Sequence, residues 1–287
     1  MAASREDADA LGERTYAGKG TVVPHQPDGH RPHGAAAEGA PRPRLWVSTL
    51  HTIRRMDRLR MTQAIRRGGR TTRIKNPTAP KVLATLRPAD MTRDRLEDDA
   101  MIRGVRYEGT PFVALEAEAV EMEGCTFDNS RFTGTRLIRS QFSDCRFNTC
   151  DFAEVGAQDV SLIRCAVSGC RFTGSSWTSG IFRDVRIENC VIAPGLFRHM
   201  KLYAVAFTDC KMVGADFQGA ELHNVKFEGC DLTGAQWANC QVGTTRFENC
   251  TLIDVGGGAS LKGATVQGPG QMELALSLAR EAGILFE

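Results

Sequence analysis

Cysteine is the residue with the most chemistry to offer in this chain. There are ten, Cys125, Cys145, Cys150, Cys165, Cys170, Cys190, Cys210, Cys230, Cys240 and Cys250, and every one falls on a multiple of five. Six of them, from Cys150 through Cys170, Cys190, Cys210 and Cys230 to Cys250, form a series twenty residues apart. A row of thiols suggests metal binding or disulfide exchange, and the spacing argues against both. The C-x-x-C pairs typical of zinc sites are absent. Side chains that repeat at a sheet spacing of about 4.8 Å with parallel Cβ vectors are farther apart than the roughly 3.8 Å a disulfide prefers. A free cysteine otherwise behaves as a small buried hydrophobe. We therefore expect ten buried, unmodified thiols, with no metal and no cofactor.

Histidine is the next candidate. His199 and His223 fall on outward positions of the same repeat and are expected to approach each other near one edge, but no nucleophile, base or carboxylate pair stands in a fixed relation to them. His25, His30 and His33 read as incidental composition. No residue set specifies a reaction, and the expectation is a protein that is not an enzyme, with no catalytic residues.

The cysteines are one phase of a five-residue period. From Cys125 the chain reads CTFDN SRFTG TRLIR SQFSD CRFNT CDFAE, and from Cys210 CKMVG ADFQG AELHN VKFEG CDLTG AQWAN. The centre of each pentad is large and apolar, the residue two before it is small, and the other three are mostly polar. Neither a 3.6-residue helical period nor strict strand alternation fits this over the span from Val105 to Leu252. Four pentads per square coil do, because residues twenty apart then stack in chemically uniform columns, such as Phe112, Phe132, Phe152 and Phe172. Roughly thirty pentads give seven to eight coils. Ala157, Met200 and Pro194-Gly195 break the size pattern, and the wall is expected to bulge near them. At Val255-Gly256-Gly257-Gly258 the period loses one residue.

The pentads ADFQG, AELHN and CDLTG resemble those of the pentapeptide-repeat family, over roughly residues 105 to 266. The resemblance implies an all-β solenoid, a right-handed quadrilateral β-helix, and a non-enzymatic scaffold that binds a protein partner through its rigid surface. Some members of the family resemble a DNA duplex in width and charge and bind type II topoisomerases, protecting gyrase from a drug or peptide toxin. That is the alternative reading here. It requires a continuous acidic face, whereas Arg131, Arg136, Arg146, Arg171, Arg186, Lys201 and Lys211 interrupt the carboxylates. The partner is expected at an apolar patch with an Arg and a Tyr, formed by Ile163, Ile181, Arg183, Leu196 and Tyr203.

The remaining segments frame the rod. Residues 1–90 are rich in Gly, Pro, Ala and Arg, and read as a disordered basic leader, with Met91 a credible alternative start. Residues 91–104 form a short capping segment, with a helical pattern around Thr92 to Ile102; 105–268 are the β-helix. Residues 269–287 are a C-terminal α-helix that is apolar nearly all round, so it should cap the open coil and also join two copies through Met272, Leu274, Leu276 and Leu278. The net charge is +2, divided between about +7 on the first hundred residues and about −5 on the rest. No stretch approaches the roughly twenty apolar residues of a membrane span, nor is there a secretory signal pattern, so a cytoplasmic location is expected.

Overall fold

The computed structural model describes residues 74–286; the leader before residue 74 lies outside them. From Met101 onward the chain winds as a quadrilateral β-helix of about nine turns. Strands are parallel and twenty residues apart in register: Arg106 faces Thr126, Thr126 faces Arg146, and the same row continues through Ala166, Arg186, Ala206, Lys226 and Arg246. The first wall carries Met101–Arg103, Glu121–Glu123, Gln141–Ser143 and Ser161–Ile163, then the first halves of three long strands, Ile181–Glu188, Lys201–Thr208 and Glu221–Glu228. Those long strands turn onto the second wall without a break, where Val105–Glu108, Thr126–Asp128, Arg146–Asn148 and Ala166–Ser168 precede them. The third wall is held by single bridges in the row from Pro111 to Thr251. The fourth begins as strands Glu116–Glu118, Arg136–Ile138, Gly156–Gln158 and Ser176–Thr178 and continues as bridges at Leu196, Asp216, Gln236 and Gly256.

A square coil needs a corner every five residues, and the chain makes nearly every corner with one left-handed residue. Asn129, Asp144, Asn189, Asp209 and Asn249 have φ between 51° and 54°, and glycine takes the same place at 124, 134, 169 and 214. Asn, Asp and Gly tolerate this conformation best, which is why most pentads end in them, although Arg139, Thr149, Glu154 and Arg164 adopt it too. A backbone N–H donates nineteen residues ahead, as from Phe132 to Asp151, and the next-but-one ladder bond runs twenty-one residues back, as from Arg131 to Thr110.

The interior is a set of stacked columns. Phe132–Phe152 and Phe152–Phe172 ring centroids are both 4.8 Å apart and nearly parallel, and Tyr107–Phe127–Phe147 repeats the arrangement on the second wall at 4.9 and 4.7 Å. Aromatic rings stacked at the strand spacing bury their faces completely while keeping the offset geometry that favours them. All ten cysteines are buried and free. Each thiol lies where a small side chain with a polar tip meets leftover backbone: Cys170 Sγ is 3.3 Å from the Ser168 carbonyl, and the Cys150 N–H donates to it at 3.2 Å. Ser140 does the same at its own corner, donating to the Ile138 carbonyl and accepting from the Val120 N–H.

Of the expected bulges, those at Met200 and Ala157 are absent. Met200 fits because Gly180 stands twenty residues before it, and the Gly180 N–H donates to Met200 Sδ at 3.2 Å. A Cβ on Gly180 would lie 2.1 Å from the Val160 carbonyl oxygen. Ala157 is compensated by Trp177 directly above it. At Pro194 the wall does depart locally, as expected: the Gly174 N–H donates to the Pro194 carbonyl twenty residues ahead, where Gly134, Glu154 and Gly214 each donate nineteen ahead, and the regular register resumes at Leu196. The lost residue after Val255 has its expected effect, since Phe247 faces Val266 at nineteen residues rather than twenty.

Both ends differ from the sequence expectation. No helix forms around Thr92–Ile102; the chain turns at 91–94 and enters the first wall at Met101. Asp94 ties this turn together, accepting hydrogen bonds from the Arg87 guanidinium and the Asp90 N–H, while the buried Tyr107 hydroxyl donates to its carbonyl at 3.0 Å. Strand Arg87–Pro88 pairs with Val105–Arg106 eighteen residues on, so the solenoid extends below Val105. Residues 74–90, read as part of the disordered leader, are seated on the rod. The sequence reading missed this because the segment has no apolar period; it is held mainly through its backbone. At the other end helix α1, Gly270–Glu281, lies across the last coil.

Candidate interaction surface

The stacking that orders the core also orders the skin. Ile163, Arg183, Tyr203 and His223 occupy one outward column of the first wall, each paired with the next. The Arg183 guanidinium carbon lies 5.6 Å from the Tyr203 ring centroid, and the Tyr203 and His223 rings meet edge to face at 6.3 Å. Cation, phenol and imidazole therefore form a continuous ladder with each side chain supported by its neighbour. Partial burial holds the His223 pKa below its ordinary value. Ile181 stands on the same wall in the other outward column, between Ser161 and Lys201. Leu196 does not join them, because it belongs to the fourth wall between Ser176 and Asp216. His199 and His223 are not brought together either: His199 is a left-handed corner residue at the entrance to the first wall and His223 stands at its far edge. His223 is a member of the ladder that the sequence reading had set aside; its twenty-residue spacing from Tyr203 was the available signal.

Charge is distributed in paired columns. On the second wall a basic row, Arg106, Arg146, Arg186, Lys226 and Arg246, runs beside an acidic row, Glu108, Asp128, Glu188, Glu228 and Glu248. Lys226 Nζ is 2.8 Å from both Glu228 and Glu248. On the third wall Arg131, Asp151 and Arg171 alternate in one column, with Arg171 2.6 Å from Asp151. Arg164 forms a two-point bond to Asp144, and with the Lys81 N–H it holds the Asp144 carboxyl below its ordinary pKa. Most of these pairs are exposed and contribute little each to stability. Their effect is to neutralise the surface at short range.

Helix α1 presents its polar side to the rod, contrary to the expectation of an all-round apolar helix. Glu273 accepts the Leu252 N–H at 2.6 Å and Glu281 accepts the Gly257 N–H at 2.8 Å, two donors of the final coil that have no further strand to meet. Ser277 is buried between them and donates to backbone carbonyls. Of the four leucine and methionine positions expected at a dimer contact, Leu274 instead packs on the core, while Met272 and Leu278 are exposed and Leu276 is half-buried. Ile284, Leu285 and Phe286 extend the exposed apolar surface.

Among the described residues, no group of three or more His, Cys, Asp and Glu side chains could hold a metal ion, and no helix is long and apolar enough to cross a membrane. Burial raises the Cys145 thiol well above its ordinary pKa and pushes Cys240 up to about 11.

Two family models match the chain, one described as a pentapeptide repeat region over residues 180–255 and one as pentapeptide repeats over residues 119–152. No curated protein matches. Among solved structures the chain is similar to HetL, a pentapeptide repeat protein involved in heterocyst differentiation regulation from the cyanobacterium Nostoc, at 12% identity over 59% of this chain and 87% of that one, TM-score 0.31. It is also similar to full-length QnrB1, a plasmid-mediated fluoroquinolone resistance protein, at 17% identity over 64% of this chain and 99% of that one, TM-score 0.30. A pentapeptide repeat protein of the Arabidopsis thaliana thylakoid lumen gives 16% identity over 48% and 68%, TM-score 0.21.

Proposed function

This chain belongs to the pentapeptide-repeat family, and from that premise we propose that it is a non-enzymatic cytoplasmic scaffold that binds a protein partner on its first wall. The carrying observation is the column of Ile163, Arg183, Tyr203 and His223, with the guanidinium already set against the phenol ring. Tyr and Arg are the side chains that most often dominate a protein interface, and a pair held in place before binding loses little freedom on binding. Ile181 widens the contact; Leu196, a wall away, is outside it. The partner captured by the full chain from a native lysate should be lost on Tyr203→Glu, with the rod still folded by far-UV circular dichroism. Equal capture by wild type and Tyr203→Glu would remove the first wall from the interface. In the same reading two copies join through Met272 and Leu278 of helix α1, giving a homodimer.

The second reading, a duplex mimic that binds a type II topoisomerase such as gyrase, draws support from the acidic row on the second wall. The basic row beside it leaves that wall without the net negative potential that such mimicry requires. Inhibition of gyrase supercoiling that weakens steeply with added salt would favour this second reading. We expect no inhibition at micromolar concentration.

A further inference from the structure

Residues 75–81, Lys-Asn-Pro-Thr-Ala-Pro-Lys, run along the corner between the first and second walls, back toward the start of the rod. Three of their backbone N–H groups, three residues apart, donate to three corner side chains that are forty residues apart. Lys75 donates to Asn224 Oδ1 at 2.8 Å, Thr78 to Asp184 Oδ1 at 2.9 Å and Lys81 to Asp144 Oδ1 at 2.9 Å. The match is geometric. Two coils of a parallel stack rise about 9.6 Å, and three residues of a polyproline II chain advance about 9.3 Å. Pro77 and Pro80 fall on positions that donate nothing, and their fixed φ favours that extended form. Asn224 Nδ2 donates back to the Lys75 carbonyl and Arg186 Nη2 to the Pro77 carbonyl, at 2.9 and 3.0 Å.

We propose that the Asp144–Asp184–Asn224 corner is a docking rail for an extended, basic, proline-spaced peptide, which this chain keeps occupied with its own residues 75–81. Recognition is by backbone N–H at every third residue and by carbonyl contacts to Asn224 and Arg186, so the rail reads conformation and spacing more than side-chain identity. The two carboxylates favour lysine flanks. A tethered copy competes at high local concentration, so a peptide in trans gains access only when the tethered segment is released.

Amide exchange measured by NMR on the full chain tests the first half. Lys75, Thr78 and Lys81 should exchange at least about tenfold more slowly than Asn76 and Ala79; uniform exchange across the five overturns the proposal. The second half is tested with a fluorescein-labelled peptide of residues 74–82. Thr78→Pro with Lys81→Pro removes two donors from the tethered segment without touching the rod, and this variant should bind the peptide at least about tenfold more tightly than wild type. Adding Asp184→Ala should abolish that gain. Equal binding by wild type and the double variant, or no binding by either, overturns the rail, as does binding that survives Asp184→Ala.

Discussion

At the scale of single residues the determining feature is what each column tolerates. Phe152 lies between Phe132 and Phe172 at 4.8 Å on both sides, so truncation to Ala leaves a void that neither neighbour can fill. We expect Phe152→Ala to cost about 3 to 5 kcal/mol by chemical denaturation. The cysteines should be inert because all ten are buried away from reagent. A thiol reagent should label few or none of the ten in the native protein, and fast labelling of most would contradict the register. Asp94 carries the clearest pH dependence. The hydrogen bond from Arg87 holds its carboxyl at about 2, below the roughly 3.9 of an unfolded aspartate. The stability it contributes is therefore complete above pH 4 or so and is lost as pH falls toward 2. Release of the Tyr107 hydroxyl, followed by tyrosine absorbance, should track that window and should lose its dependence in Asp94→Asn.

At the scale of elements, the coil was legible and its attachments were not. The pentad fixes which residues face inward because each repeat occupies the same place on the backbone, so Phe112, Phe132, Phe152 and Phe172 could be stacked from spacing alone. The seated segment 75–81 bonds through backbone N–H groups, which leave no side-chain period; the only trace is Pro77 and Pro80 set three apart, matched by Asp144, Asp184 and Asn224 set forty apart. The placement of the proposed interaction column was half legible, since spacing joins Ile163, Arg183 and Tyr203, whereas Leu196 was grouped with them by chemistry without regard to its wall. Helix α1 was misread because its leucines drew attention from Glu273, Ser277 and Glu281, which share a face at intervals of four. Removing either glutamate leaves a coil donor unmet. Glu273→Ala should destabilise by about 1 to 3 kcal/mol, measured by urea denaturation. If two copies join through helix α1 as proposed, the wild type should sediment as a dimer and Met272→Glu with Leu278→Glu as a folded monomer; a dimer unchanged by the two substitutions would place the contact elsewhere.

At the scale of the whole described rod, the outward columns are set by the core beneath them. Repeat stacks have a characteristic weakness: each coil touches only its neighbours, so such stacks tend to unzip from an end, one layer at a time. The segment that begins beside Asn224 and reaches Gly104, where the Arg87 N–H donates to the Gly104 carbonyl, crosses most of the layers in the opposite direction. It acts as a brace, tying coils that are far apart in the stack to a single length of chain. The first layers on the braced edge then cannot fray without pulling on the middle, and melting of the braced layers becomes one cooperative event. Calorimetric and van't Hoff enthalpies should agree in the wild type, and Thr78→Pro with Lys81→Pro should broaden the transition and separate the two values.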